Sequence, residues 1–380
     1  MTRCLAATLA AVLALGAGSA SAAVRVAPGW PRAVPAGPVL QGPGGGVVVV
    51  STVARSATVR AFTVRGARLW RQSSVFGCGN CDDGPQPEAL QPDGTYGPIG
   101  VEGDDFWAVD ARGRRVRGCA GVVFADGGCV TASPGSAIDA HPGFTGAPTG
   151  GATWRVADAR WNWFPEFEVP PMAVRDAGSR IYAAFRFPTE VATQRRVPGL
   201  LIAIDPVTRT LLWEREGPGE ALAGLPSGVL VAEDGGVTAY GADGTVRWRR
   251  GVPPHQAVAP GDTVVDAARG RLYLGRIRGG TPGVTSLDLA TGAQLWKTRP
   301  SDQARLLSVG RGGRVYVAID AAARRGVRAL RLATGATAWG WRTSLPVLGA
   351  RELPGGLVAV SAGQRYAPTR ADRLTVLVPG

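Results

Sequence analysis

The chain has 380 residues, a net charge of +13, and 45% hydrophobic against 19% charged residues. Gly 55 and Pro 29, together about 22% of the chain, exclude a helix bundle or a coiled coil, and the apolar content excludes a disordered chain. Length alone suggests two or three domains, but all-β architectures run long as one unit.

In chain order, residues 1–22 come first. Arg3 supplies a positive start, Leu5 to Leu15 is an apolar run interrupted only by Thr8, and Ala20, Ser21 and Ala22 form a small-x-small site. This is the pattern of a secretory signal, with the mature chain starting at Ala23. The apolar run is shorter than the ~20 residues of a spanning helix. Export makes an oxidising compartment the context for the four later cysteines, Cys78, Cys81, Cys119 and Cys129, and their even number suggests two disulfides. Cys119 and Cys129 flank a short loop suited to a staple. Cys78 and Cys81 have CxxC spacing but no helical pattern follows them, which favours a loop staple or metal clip over a redox role. Pairing of Cys78 and Cys81 with Cys119 and Cys129 stays open.

The body repeats. Residues 203–213 (AIDPVTRTLLW), 286–296 (SLDLATGAQLW) and 329–339 (ALRLATGATAW) are the clearest copies. Residues 61–70 and 239–248 are versions with shorter turns. Gly stands four residues before Trp at 66/70, 150/154, 244/248, 292/296 and 335/339, whereas Gly113 is followed by Arg117 and Arg209 precedes Trp213. An alternating strand, a Gly turn and a second strand carrying Trp describe a β-hairpin. Further apolar runs, such as 228–232, 271–275, 314–318 and 356–360, precede the copies or extend them. Each unit therefore has about four short strands, the content of a propeller blade.

Trp30, Trp70, Arg117, Trp154, Trp213, Trp248, Trp296 and Trp339 share one phase, 35 to 59 residues apart. No hairpin precedes Trp30, and the unit at 357–378 lacks its Trp strand. The two fragments complete each other, so the strand at Val24–Val26 closes the last unit. The expectation is an all-β fold. It is a single β-propeller over 23–380 with eight four-stranded blades of about 45 residues, seven being the alternative.

These residues resemble the PQQ-like (quinoprotein-type) β-propeller repeat, most closely from 200 to 340 and least around 75–170. The turns Thr291-Gly292 and Thr334-Gly335 carry the resemblance best. It implies that the repeat tryptophans dock against the neighbouring blade: Trp30, Trp70, Trp154, Trp213, Trp248, Trp296 and Trp339. It also implies a possible class of enzyme, holding PQQ and Ca²⁺ in a central funnel through carboxylate and amide ligands. Such enzymes carry long inserts and often adjacent cysteines; this sequence has no adjacent cysteines and few spare residues for inserts. Asp82 and Asp83 are the weak candidates for calcium, and a solvated acidic loop is their simpler reading.

Other chemistry has little support. His141 and His255 lie beside prolines and suit neither a metal pair nor a catalytic triad. Lys297 is the only lysine and follows Trp296, which excludes a GxxxxGK phosphate loop. Residues 155–198 are the least repeat-like. They hold Trp161, Trp163, Phe164 and Phe167, either an exposed partner-binding loop or rings folded over a blade. Arginines such as Arg65, Arg68, Arg71, Arg249, Arg250, Arg324 and Arg325 are scattered, several at exposed hairpin positions. The functional expectation is a secreted, non-catalytic binding or scaffold propeller of the cell envelope, monomeric, without bound cofactor. Its partner is an envelope protein or an acidic surface polymer rather than nucleic acid. The alternative is a PQQ- or Ca²⁺-dependent oxidoreductase.

Overall fold

The computed structural model describes residues 24–53, 56–75, 94–102, 105–117, 122–123, 129–133, 143–147, 154–157, 172–175, 180–186, 199–205, 207–208, 210–216, 220–225, 227–233, 236–251, 257–258, 263–275, 277–278, 283–299, 303–321, 324–364 and 371–380. Two short strands come first among the described residues, β1 (Arg25–Val26) and β2 (Arg32–Ala33). The first sheet holds β3 (Val39–Gln41), β4 (Val47–Val53), β5 (Ser56–Phe62) and β6 (Arg68–Val75). The second holds β7 (Tyr96–Glu102), β8 (Asp105–Val109) and β9 (Arg115–Arg117). The third is β10 (Val122–Val123), β11 (Cys129–Ser133), β12 (Gly143–Ala147) and β13 (Trp154–Ala157). The fourth is β14 (Met172–Arg175), β15 (Ile181–Arg186), β16 (Gly199–Asp205) and β17 (Thr210–Glu216). The fifth is β18 (Glu220–Leu225), β19 (Gly228–Glu233), β20 (Gly236–Gly241) and β21 (Val246–Gly251).

A small ribbon, β22 (Ala257–Val258) with β25 (Ile277–Arg278), accompanies the sixth sheet. That sheet is β23 (Thr263–Asp266), β24 (Arg271–Leu274), β26 (Thr285–Asp288) and β27 (Gln294–Lys297). The seventh is β28 (Ala304–Val309), β29 (Arg314–Ile319), β30 (Gly326–Arg331) and β31 (Thr337–Arg342). The eighth is β32 (Val347–Glu352), β33 (Val358–Ala362) and β34 (Arg373–Val378), and its outer edge is supplied by β1 and β2. Arg25 pairs with Val378, Val26 with Leu377, Arg32 with Leu374 and Ala33 with Arg373. The N-terminal segment thus closes the last unit, as the two sequence fragments require.

The middle strands explain the long apolar runs. β19 and β20 are buried along nearly their whole length, whereas the outer strand β21 is mostly exposed. A strand buried on both faces reads as continuous hydrophobics, here because sheets stack on either side of it. Separate apolar clusters join the fourth sheet to the fifth, fifth to sixth, sixth to seventh, seventh to eighth, eighth to first, and first to second. Among the described residues the core is therefore a run of six successive interfaces, from the fourth sheet round to the second, the arrangement of a β-propeller.

The repeat tryptophans sit at these interfaces. Trp30, Trp70, Trp213, Trp248 and Trp296 each donate an indole N–H to a carbonyl in the hairpin turn of the following sheet. The acceptors are Val64 (2.8 Å), Ala111 (3.2 Å), Ala242 (2.8 Å), Leu289 (3.0 Å) and Leu332 (2.8 Å). Trp339 is almost fully buried, but its Nε1 has no hydrogen-bond partner. For Trp154 only the backbone is described, paired with Gly146.

Two features of the motif gain a physical reason here. A small residue lies directly across from five of the repeat tryptophans: Ala61 from Trp70, Ala203 from Trp213, Ala239 from Trp248, Ser286 from Trp296 and Ala329 from Trp339. A register shift follows it in each case. The glycine serves a different tryptophan from the one four residues on. A Cβ on Gly292 would come within 2.6 Å of the Trp248 ring, and one on Gly335 within 2.7 Å of the Trp296 ring. Gly and Trp of one motif therefore belong to two successive interfaces. This explains why Gly113 persists where Arg117 has replaced the tryptophan: a Cβ there would meet Trp70 at 2.6 Å.

Candidate functional site

The motif carboxylates hold turns. Asp288 Oδ1 accepts from the backbone N–H groups of Ala290 (3.1 Å) and Thr291 (2.9 Å) and from Thr291 Oγ1 (2.9 Å). Asp205 accepts from Val207 N and Thr208 N, and Asp243 from Thr245 N and its hydroxyl. The hydrogen bonds stabilise the ionised form, so all three carboxyls titrate below their ordinary value. These groups hold local structure.

The described residues form a larger opening where three first strands meet. β3, β28 and β32 belong to the first, seventh and eighth sheets and surround a cavity of about 660 Å³. That volume is in the range of small-ligand sites. Leu40, Leu307 and Leu348 give it apolar wall, while Arg305, Arg325 and Arg351 bring three cations to it against one carboxylate, Asp320. The first strands position Arg305 and Arg351 directly. β28 alternates buried and half-buried positions, and Arg305 is on the half-buried face. Arg325 comes from the connection between β29 and β30, on the side where β28 and β32 begin.

The arginines are held to different degrees. Arg305 donates to the Val347 carbonyl (2.5 Å) and Arg325 to the Ser344 carbonyl (3.1 Å). The Arg325 Nε is buried without a partner. Arg351 is half-buried, and burial, together with the nearby positive Arg311, lowers its pKa from the ordinary guanidinium value. Among the described residues no ion pair joins Asp320 to any of the three.

Comparison with known proteins bears on this geometry. Residues 233–379 match the family model described as outer membrane protein assembly factor BamB. No curated protein matches the sequence. The quinohaemoprotein alcohol dehydrogenase of Comamonas testosteroni is similar in structure at 14% identity, over 93% of this chain and 76% of that one, with a TM-score of 0.55. The chain is a β-propeller of PQQ-like repeats. BamB from Moraxella catarrhalis also aligns with this propeller, at 13% identity over 94% of this chain and 98% of that one, with a TM-score of 0.40.

A quinone enzyme of the propeller type would need calcium beside its cofactor. Ca²⁺ takes six to eight oxygen ligands, several of them carboxylates. Among the described residues, the cavity of this PQQ-like propeller offers Asp320 as its one carboxylate beside three guanidiniums, a donor set that does not fit such a centre. No group of three or more His, Cys, Asp or Glu residues suited to a metal occurs among the described residues.

The remaining sequence candidates divide by location. Cys129 opens β11, where its backbone pairs with Val123 across the loop read as stapled. Cys78, Cys81, Cys119, Asp82, Asp83, Trp161, Trp163, Phe164 and Phe167 lie outside the described residues, as does the segment 1–22. The cavity arginines were not singled out as a group by the sequence. Arg325 reads there as one of many scattered cations, yet it is half-buried and lines the cavity. The available signal was a charge inside the first apolar strand of a unit, as at Arg305 in 304–309 and Arg351 in 347–352. The sequence also gave no reason for the ring partners of the tryptophans. Tyr182, Tyr273 and Tyr316 lie 5.8, 5.9 and 5.9 Å from Trp213, Trp296 and Trp339.

Proposed function

We propose that this propeller is an exported, non-catalytic binding protein of the cell envelope, and that its partner is an acidic envelope protein. The observation that carries the reading is the charge of the inner-strand cavity, with Arg305, Arg325 and Arg351 against Asp320. A positive concavity attracts negative partners over long range and fixes their orientation. The match of 233–379 to the BamB model supports a protein partner over a small substrate. The tryptophan-to-turn hydrogen bonds support a rigid frame, since they tie five successive pairs of sheets together among the described residues.

An acidic surface polymer is the other occupant of the same chemistry. The experiment uses immobilised full-length protein and envelope extract, before and after protease digestion, eluted with a salt gradient. Capture that is lost after protease treatment and released by moderate salt supports the protein partner. Capture that survives protease assigns the polymer. Salt-insensitive capture removes the electrostatic reading. The alternative of a PQQ- or Ca²⁺-dependent oxidoreductase draws on the fold it shares with the quinohaemoprotein dehydrogenase. The donor set of the cavity gives it no support.

A further inference from the structure

We infer that the inner-strand cavity holds a discrete anion-binding site for a carboxylate or phosphate group, with Arg351 as its principal ligand and Arg305 and Arg325 beside it. The inference deepens the binding reading above by naming the chemical group recognised. It rests on the contrast between Arg351 and arginines elsewhere in the ring that meet a carboxylate.

Arg269, for example, meets the Asp266 carboxylate at 2.8 Å, and Arg249 meets Glu233 at 3.1 Å. The Arg351 guanidinium has no hydrogen bond or ion pair among the described residues, although it is half-buried and another cation, Arg311, raises the potential around it. A partly desolvated cation without a counter-ion is unfavourable unless something else supplies the charge. Glu352, the next residue, cannot serve. It accepts from Tyr316 Oη at 2.7 Å and from Gly312 N at 2.9 Å, which ties it to the seventh sheet.

Asp320 makes no ion pair with the cavity arginines among the described residues. The buried Arg325 Nε is a second unused donor at the same cavity. Guanidinium forks suit planar carboxylate and tetrahedral phosphate alike. The apolar wall from Leu40, Leu307 and Leu348 accommodates a carbon skeleton behind the charged group.

The test is isothermal titration of the full chain with citrate and, separately, inorganic phosphate, at ionic strength held constant with NaCl. Saturable binding of either supports the site, and the stronger ligand identifies the group recognised. Arg351→Gln should weaken that binding by roughly ten- to a hundredfold, the loss of a charge-assisted hydrogen bond. Arg351→Lys, which keeps charge without the fork, should fall between Gln and wild type. Arg342→Gln, on the exposed strand β31, should bind as wild type does.

A second readout separates ligand binding from structure. Removing an unpaired cation should leave the melting temperature of ligand-free Arg351→Gln at or above that of wild type. A lower melting temperature would make Arg351 a structural residue and overturn the inference, as would titrations in which neither anion saturates. Retained salt-sensitive capture of an envelope protein with no anion binding defeats the site and leaves the binding reading intact. Anion binding without capture does the reverse.

Discussion

Gly292→Ala tests the interlocking of successive sheets most directly, with Gly270→Ala as its control. Both glycines have positive φ, +71° and +61°. An alanine at either position therefore carries the left-handed penalty, about 1–2 kcal/mol. They differ in surroundings. A Cβ at 270 meets nothing within 4 Å, whereas at 292 it meets three ring atoms of Trp248 at 2.6, 2.8 and 3.1 Å. The indole is pinned by its hydrogen bond to Leu289 O at 3.0 Å, so it cannot withdraw without losing that bond. Overpacking a fixed site costs about 1–3 kcal/mol more. Urea unfolding followed by tryptophan fluorescence should rank wild type first, Gly270→Ala next and Gly292→Ala last, about 2–5 kcal/mol below wild type in sum. Combining Gly292→Ala with Trp248→Ala should recover part of the clash as a favourable coupling. Equal losses for the two glycine variants would refute the claim that the repeat glycine exists to receive the preceding tryptophan.

Three other outcomes are expected. Trp248→Phe should cost about 1 kcal/mol more than Trp339→Phe, because only the former loses an indole hydrogen bond; urea midpoints at matched m-values measure the difference. At alkaline pH, burial and then the hydrogen bond to Glu233 raise the Tyr240 phenol to about 12, while burial and then Glu352 raise Tyr316 further. A raised folded pKa gives stability that is complete below the unfolded value near 10 and is lost as pH rises through the folded value. Stability should therefore decline above pH 10, and absorbance at 295 nm should show late-ionising tyrosines. At acid pH the sign is opposite. The turn carboxylates Asp205, Asp243 and Asp288 are depressed, so what they contribute is present above their unfolded value and fades as pH falls through the folded one. Asp288→Asn should flatten that acid limb in a pH series of melting temperatures.

The ring was legible because its signal is periodic. Gly and Trp keep their spacing through five copies, and the orphan phases at Trp30 and 357–378 point to each other. What escaped was relational. Nothing within one motif tells that its glycine faces the indole of the motif before, or that the alanine two residues ahead of Asp205 leaves room for Trp213. The cavity escaped for the same reason. Arg305, Arg325 and Arg351 stand in three separate segments and become one site only when the ring brings β3, β28 and β32 together. Charge on an inner strand carries no period and so is lost among the many surface arginines.

The pairing of β1 and β2 with β34 has a temporal meaning. The earliest described strands to leave the ribosome find their partner only in the last. Sheets one to seven can condense from neighbouring chain, but the eighth depends on contacts of nearly maximal sequence separation, which form slowly because of the entropy of loop closure. Until then Leu374 and Val376, buried in the finished ring, have no cover from Ala27 and Trp30. The protein thus carries a late-sealing seam whose sticky margin stays open through synthesis, and a helper that shields such a margin would act there and not on the repeats between.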